Sequence, residues 1–396
     1  IQEPLLAGKG LLGRVTGKEG ALFDAVNYLI KADEIVEEKY ESSFSPEFKK
    51  ILEAYTAGLN RYAELHPEEV RHKKIFPVSP KDIIKGYVVS FTFISNVQYD
   101  LARLFQNTLD PISKIEPNKL TAGSNGIALA PNKTKEGKSY LVSNSHQPLT
   151  GYLSWYELHV NSEEGWNFHG ATFAGGITPF IGTNKNLGWT HCVNYNDYHD
   201  VYKLTVHKKQ YKYDEKWLDL EERVFKTVVK LGIFKIPIRK KFYWSVHGPV
   251  IKNKSGYYAL RFPSNMVVGQ AEQWYKMNKA TNLEEFKEAQ QMQQLSSLTT
   301  VYADKVGNIL FIDNGLFPYR NPDYDWQKIV PGNTSASLWQ PPFMPMDSIL
   351  MIENPSSGYV YHTNGSGFKS TGEADQPNRR PVANSAHVQL WGKAYV

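Results

Sequence analysis

Cysteine is almost missing from these 396 residues. Cys192 is the only one, so no disulfide can close within the chain and a Cys-rich metal site is excluded. No run of about eighteen apolar residues occurs, which argues against a membrane-spanning helix. A strong charge of one sign is also lacking. Forty-five Lys and Arg stand against forty Asp and Glu, spread along the chain, which leaves no footprint for nucleic acid. Neither a G-x-S-x-G elbow, nor H-E-x-x-H, nor a glycine-rich phosphate loop is present, so the commoner templates for hydrolases and nucleotide enzymes are set aside. The chain begins at Ile1 rather than Met and ends at Val396 without a closing signal, so further residues are expected at both ends, any signal peptide among them.

What is present is apolar bulk. With 41% hydrophobic and 13% aromatic residues the chain can bury one large core or two smaller ones. The first hundred residues carry a helical period: Leu22, Ala25, Leu29, Ala32, Ile35 and Val36 predict one helix over residues 21–40. Ser45-Pro46-Glu47 reads as an N-cap with proline at the first helical position, and Ser79-Pro80-Lys81-Asp82 repeats the signal before residues 83–94. From Phe105 to Gly123 the period disappears into a polar, breaker-rich linker. Beyond it, short strand-like runs follow one another, separated by Gly, Asn and Pro, with one helix opened by Thr281-Asn282-Leu283-Glu284 in capping-box form. Helices first and antiparallel strands after them predict an α+β fold rather than alternating βαβ units. The densest basic run, residues 226–241, alternates cations with Val and Ile and predicts a strand pair with one wet face rather than a phosphate clamp.

An amide hydrolase needs a nucleophile, a base and donors for an oxyanion. Gly123-Ser124-Asn125 stands where the linker meets the first strand. Alone it is an ordinary turn. It is followed by Gly126-Ile127-Ala128-Leu129-Ala130-Pro131, Gly137-Lys138 and Asn144-Ser145-His146, then by Trp155-Tyr156-Glu157-Leu158-His159, Phe180-Ile181-Gly182-Thr183-Asn184, Leu187-Gly188-Trp189-Thr190, His247-Gly248-Pro249-Val250 and Tyr302-Ala303-Asp304. In this order and spacing the motifs resemble the penicillin acylase family of N-terminal nucleophile hydrolases, over nearly the whole chain.

The resemblance implies a four-layer αββα sandwich preceded by a helical small-chain segment. It further implies a periplasmic or secreted precursor divided into residues 1–105, a spacer of residues 106–123 and a catalytic segment of residues 124–396. Cleavage after Gly123 would free the amino group of Ser124, making one residue both nucleophile and base; the α-amine, intrinsically near pKa 8, is partly neutral at working pH. The resemblance also implies that His146 orients that amine, that the Val193 backbone N–H donates to the oxyanion, and that Arg320 lies near the site. It puts the second oxyanion donor, normally an asparagine, at Thr299, whose hydroxyl is shorter and also an acceptor. Phe91, Phe93, Phe180 and Ile181 are the implied acyl pocket, and equally good core residues. No cofactor is expected for catalysis. A structural calcium is implied at Asp197 and Asp200 with a group of the helical segment, although that position holds Gln98 where the family has glutamate.

Three readings follow. The first is an acylase acting on a small N-acyl amide, such as an acyl-homoserine lactone or a penicillin-type side chain, with its own cleaved small chain as partner. The second is a weak or inactive relative serving as a binding module, because of Thr299. The third is a β-rich surface or carbohydrate-binding protein using its exposed Trp and Tyr residues.

Overall fold

The computed structural model describes residues 1–95, 97–106, 123–151, 153–194 and 196–377. The chain divides into two compact units, each assembled from separate stretches: residues 1–109, 199–272 and 329–338 in one, and residues 110–198, 273–328 and 339–396 in the other.

The first unit holds the helices that precede residue 107. Ser45 caps Pro46–Leu65 by accepting from the Phe48 N–H at 3.2 Å, and Ser79 with Asp82 forms a reciprocal capping box at the head of Pro80–Ile94, so both start signals are used as the sequence predicts. The predicted helix over 21–40 is instead two, Lys18–Leu29 and Ala32–Ser43, broken where Lys31 takes φ 57° in the left-handed region. Apolar periodicity runs through this break because both helices bury the same kind of stripe; the kink carries no periodic signal. Three further helices, Gln2–Gly8, Gly13–Thr16 and Val97–Gln106, complete the set described before residue 107.

These helices pack on a six-stranded sheet ordered Glu221–Leu231, Phe234–Ser245, Gly248–Asn253, Gly256–Arg261, Asp200–Leu204, Val330–Pro331. Asp24 ties helix to sheet. Its carboxylate accepts from the Leu12 and Gly13 N–H groups at 2.8 and 2.9 Å and from the Thr227 hydroxyl at 3.2 Å. Tyr28 packs against Phe225 and Phe242 beside it. The basic run is the expected strand pair, but only its first strand has a single wet face. From Phe234 to Lys241 both faces of the second strand are exposed.

The second unit is layered. A seven-stranded antiparallel sheet runs Met351–Glu353, Ile309–Asn314, Leu298–Asp304, Leu187–Val193, Ile181–Thr183, Asn167–Phe173, Trp155–Asn161. Side chains alternate across it with period two. Trp189 and Tyr302 face helix Leu283–Gln290 through Phe286, and His191 meets Trp274 of the helix ending at Lys279. Thr190, Cys192 and Val301 face the other way, toward a three-stranded sheet ordered Tyr359–His362, Ser124–Leu129, Tyr140–Ser145. The two sheets approach so closely at Gly126 that a Cβ there would lie 2.8 Å from the Thr190 methyl, which only glycine avoids. The capping box before Leu283 is displaced by one residue: Asn282 caps Glu285, and Glu285 reaches back to Thr281, because the helix starts one residue later than the motif reads. The fold is the α+β sandwich expected from the sequence.

Candidate active site at the start of the Ser124 strand

Ser124 is the first residue of its strand and pairs with Ser145, the last residue of the neighbouring one. This register brings His146 level with Gly123. The His146 N–H donates to the Gly123 carbonyl at 2.9 Å, and the Ser124 hydroxyl donates to the same oxygen at 2.7 Å. The carbonyl before Ser124 therefore carries two donors, the arrangement that polarises a carbonyl toward attack. Ser124 is buried, so its hydroxyl acts in a site of low dielectric.

The His146 ring stands beside the same peptide. A Cβ on Gly123 would meet its Nδ1 at 3.1 Å and the Asn364 Oδ1 at 2.9 Å. On its other edge the ring is held by Asn125 and Asn144, with Nε2 3.2 Å from the Asn125 Nδ2 and 2.9 Å from the Asn144 Oδ1; Asn125 in turn donates to Asn144.

Asn364 is the residue that the sequence did not reveal. Its Oδ1 accepts from the Ser124 N–H at 2.5 Å while its Nδ2 donates to the Val193 carbonyl at 2.6 Å, so one carboxamide ties Ser124 to the end of the Val193 strand. It lies just past strand Tyr359–His362, two strands from His146 through the Ser124 strand, with φ 59°, a left-handed backbone that Asn tolerates better than most residues. No local pattern marks His362-Thr363-Asn364-Gly365; only the pairing of that strand with residues 126–129 brings it to Ser124.

Thr299 and Val193 share this end of the seven-stranded sheet, Leu298 pairing with Val193 and Thr299 with Cys192. Thr299 faces the Ser124 side, but its one hydroxyl proton goes to the Asp313 carboxylate, and its oxygen accepts from the Asn194 Nδ2 at 3.2 Å. Asn194 also donates to Asp313 at 3.1 Å. Burial raises the Asp313 carboxyl to about 6 against the pull of these bonds. The hydroxyl is thus committed to a buried network and is not offered as an oxyanion donor. Asp313 and Asn194 were invisible to sequence reasoning for the same reason as Asn364: strand register assembles them.

Arg320 is fully buried against Asp197, its Nη1 3.4 Å from the carboxylate, and stacks on Trp326. That engages Asp197 with a guanidinium. Asp200 opens the strand Asp200–Leu204 in the first unit, and the Gln98 side chain lies outside the described residues. Among the described residues, the one cluster of three acidic or His ligand atoms is half-buried His66 with exposed Glu68 and Glu69, away from these positions in the sequence. Asp197 beside its cation is a poor fit to a divalent ion, and no chemistry is derived through a metal.

Of the implied acyl-pocket residues, Phe180 and Phe93 pack against other aromatic rings. Phe180 stacks on Trp274 at 4.1 Å and meets Phe173 edge-on; Ile181 starts the adjoining strand. In the first unit, Phe91 is buried and Phe93 stacks on Phe23 at 4.4 Å.

The helices that precede Ser124 and the antiparallel sheets that follow it form an α+β architecture consistent with the N-terminal nucleophile hydrolase fold. The chain belongs to the penicillin amidase family, whose family model matches residues 4–392. It is similar to the acyl-homoserine lactone acylase PvdQ of Pseudomonas fluorescens strain Pf0-1, with 25% identity over 70% of this chain and 40% of that protein. It is also similar to PvdQ of Pseudomonas fluorescens strain Pf-5, with 22% identity over 87% of this chain and 50% of that protein. The chain spans half or less of the length of these relatives. Among solved structures it resembles the thermostable penicillin G acylase from Alcaligenes faecalis, with TM-score 0.54 and 23% identity, covering 63% of this chain and 45% of that one.

Proposed function

We propose that this chain is the nucleophile-bearing part of an acylase that cleaves itself between Gly123 and Ser124 and then removes acyl groups from N-acyl amides, acyl-homoserine lactones foremost. The observation that carries this is the Gly123 carbonyl, which receives the Ser124 hydroxyl at 2.7 Å and the His146 N–H at 2.9 Å while Asn364 holds the Ser124 nitrogen.

The chemistry follows from these contacts. The Ser124 Oγ attacks the Gly123 carbonyl carbon, and the developing charge on its oxygen is met by the His146 N–H. The C–N bond breaks, the hydroxyl proton passes to the departing Ser124 nitrogen, and water hydrolyses the ester, leaving a Gly123 carboxylate and a free Ser124 amine. That amine then takes the hydroxyl proton when Oγ attacks a substrate amide. Asn364 keeps the amine in place by accepting from it, His146 flanks it, and the Val193 N–H is the proposed first oxyanion donor. In this reading residues 1–105 form the small chain, 106–123 the spacer and 124–396 the catalytic chain, in a periplasmic or secreted precursor, with Phe91, Phe93, Phe180 and Ile181 bordering the acyl site. Because the Arg320 guanidinium engages Asp197, this reading includes no calcium at Asp197 and Asp200, and metal analysis of the purified protein checks it.

A second reading, a weak or inactive binding module, is favoured by one observation: the Thr299 hydroxyl proton is given to Asp313. Hydrolysis of a series of N-acyl-homoserine lactones by wild type and Ser124→Ala decides between the two. Turnover that vanishes with Ser124→Ala supports the acylase; equal, negligible rates for both proteins support the module.

A further inference from the structure

The hairpin formed by Glu221–Leu231 and Phe234–Ser245 is the most unusual surface of the first unit. Its strands stay paired to the last possible residues, Leu231 with Phe234, leaving Gly232 and Ile233 as the turn. Ile233 is 91% exposed and Phe234 68%. Leu231, Ile236 and Ile238 behind them are exposed as well, on the face that Leu231 and Phe234 share. The opposite face is cationic. Lys230 pairs directly with Lys235, and Lys226 with Arg239.

Like charges placed directly across a strand pair are destabilising. Here two such pairs occur on one face, with only the Val228–Pro237 pair between them, and no acidic residue lies anywhere from Lys226 to Lys241. Among the described residues none of the four cations has a carboxylate partner; the ion pairs of this hairpin lie at its base, where Lys241 meets Glu222 at 2.9 Å and Arg223 and Lys31 meet Glu34 and Glu221. Lys240 is set apart, its ammonium over the Phe105 and Phe242 rings. Apolar residues therefore occupy the tip and unneutralised cations stand one to five residues behind it, within about 17 Å along the strands.

We propose that this hairpin tip docks on an anionic lipid surface, with Ile233 and Phe234 entering the interface and Lys226, Lys230, Lys235 and Arg239 meeting the headgroup phosphates. Charge complementarity selects this occupant. Two copies of the chain meeting through this face would bring eight of these cations together. A nucleic acid would leave the apolar tip exposed. A lipid surface accepts both parts, apolar groups at the acyl boundary and cations at the phosphates.

The test is co-sedimentation of the full-length protein with vesicles of phosphatidylglycerol and phosphatidylcholine, and with vesicles of phosphatidylcholine alone. The expected result is binding to the anionic vesicles that weakens about tenfold or more on the neutral ones and in about 1 M salt, where screening acts over about 3 Å. Ile233→Ser with Phe234→Ser should weaken it about tenfold, and Lys230→Glu with Lys235→Glu at least as much, with the melting temperature and amide hydrolysis in free solution unchanged. The proposal is overturned if the wild type does not sediment with anionic vesicles, if neutral vesicles bind it equally, or if the tip variant binds like the wild type. Self-association that the tip substitutions abolish would overturn it in favour of a second copy as the occupant.

Discussion

The Oδ1 of Asn364 stands 2.5 Å from the backbone nitrogen of Ser124, and through its Nδ2 the same carboxamide holds the carbonyl of Val193. In the proposed reaction this nitrogen is first a leaving group and then a base, which would give Asn364 a positioning role in both cleavage and turnover. Asn364→Gly keeps the left-handed backbone without strain but removes both bonds. It should slow cleavage after Gly123 about tenfold or more, equivalent to at least about 1.4 kcal/mol. The time course of the two fragments after a pulse of synthesis measures it. Cleavage at the wild-type rate would remove Asn364 from the account.

Gly123 is confined from two sides. A Cβ would fall 2.9 Å from the Asn364 Oδ1 and 3.1 Å from the His146 Nδ1, and both side chains are fixed by other bonds. Gly123→Ala should therefore push Asn364 off the Ser124 nitrogen and leave mostly uncut chain, with the unfolding temperature little changed. Intact mass checks this, and rapid cleavage of the variant would contradict it.

Thr299 gives its proton to Asp313, so an asparagine there would offer two donors in place of one. With one N–H satisfying Asp313 and the other free to face the site, Thr299→Asn should raise kcat for amide hydrolysis about tenfold. The larger side chain in a fully buried position should cost about 1–3 kcal/mol of stability. A slower Thr299→Asn enzyme, alongside an inactive Ser124→Ala, would show that the threonine is a working part of the site.

His247 is fully buried between the rings of Tyr202 and Tyr213, with no hydrogen-bond partner for either nitrogen among the described residues. Burial first, then the nearby Arg261 charge, depresses it to about 3. An unfolded histidine titrates near 6.5, so the folded state binds fewer protons between these values. The contribution of His247 to stability is present above about pH 6.5 and is lost as pH falls toward 3. At pH 5 the loss is about 2 kcal/mol relative to pH 7. His247→Leu should remove that part of the acid sensitivity, so that the variant unfolds at higher denaturant concentration than wild type at pH 5. His191 and His362, each lowered to about 4 by burial, keep the remainder. Equal acid sensitivity in the two proteins would refute the assignment.

Local chemistry was legible in the sequence, and long-range pairing was not. Ser45 and Ser79 announce their helices because a cap is a contact three residues long. Ser124 and His146 were singled out by the resemblance of their motifs to the penicillin acylase family, and the pairing of Ser124 with Ser145 sets His146 beside Gly123. The break at Lys31 escaped because backbone handedness leaves no apolar period. Asn364, Asp313 and Asn194 escaped because each reaches the site through strands distant in sequence: Asn364 lies 240 residues from Ser124. The basic run was read correctly as paired strands, but periodicity could not show that helices cover the first strand and leave the second bare. The linker of residues 106–123 falls, apart from its two end residues, outside the described residues.

The central claim is that Ser124 becomes an N-terminal residue and performs hydrolysis. N-terminal sequencing of the purified full-length protein, paired with amide hydrolysis by wild type and Ser124→Ala, tests it most directly. The account predicts a fragment beginning Ser124-Asn125-Gly126 in the active wild type, and a single uncut, inactive chain in Ser124→Ala. A wild type that hydrolyses N-acyl amides while the peptide bond after Gly123 remains intact would contradict it.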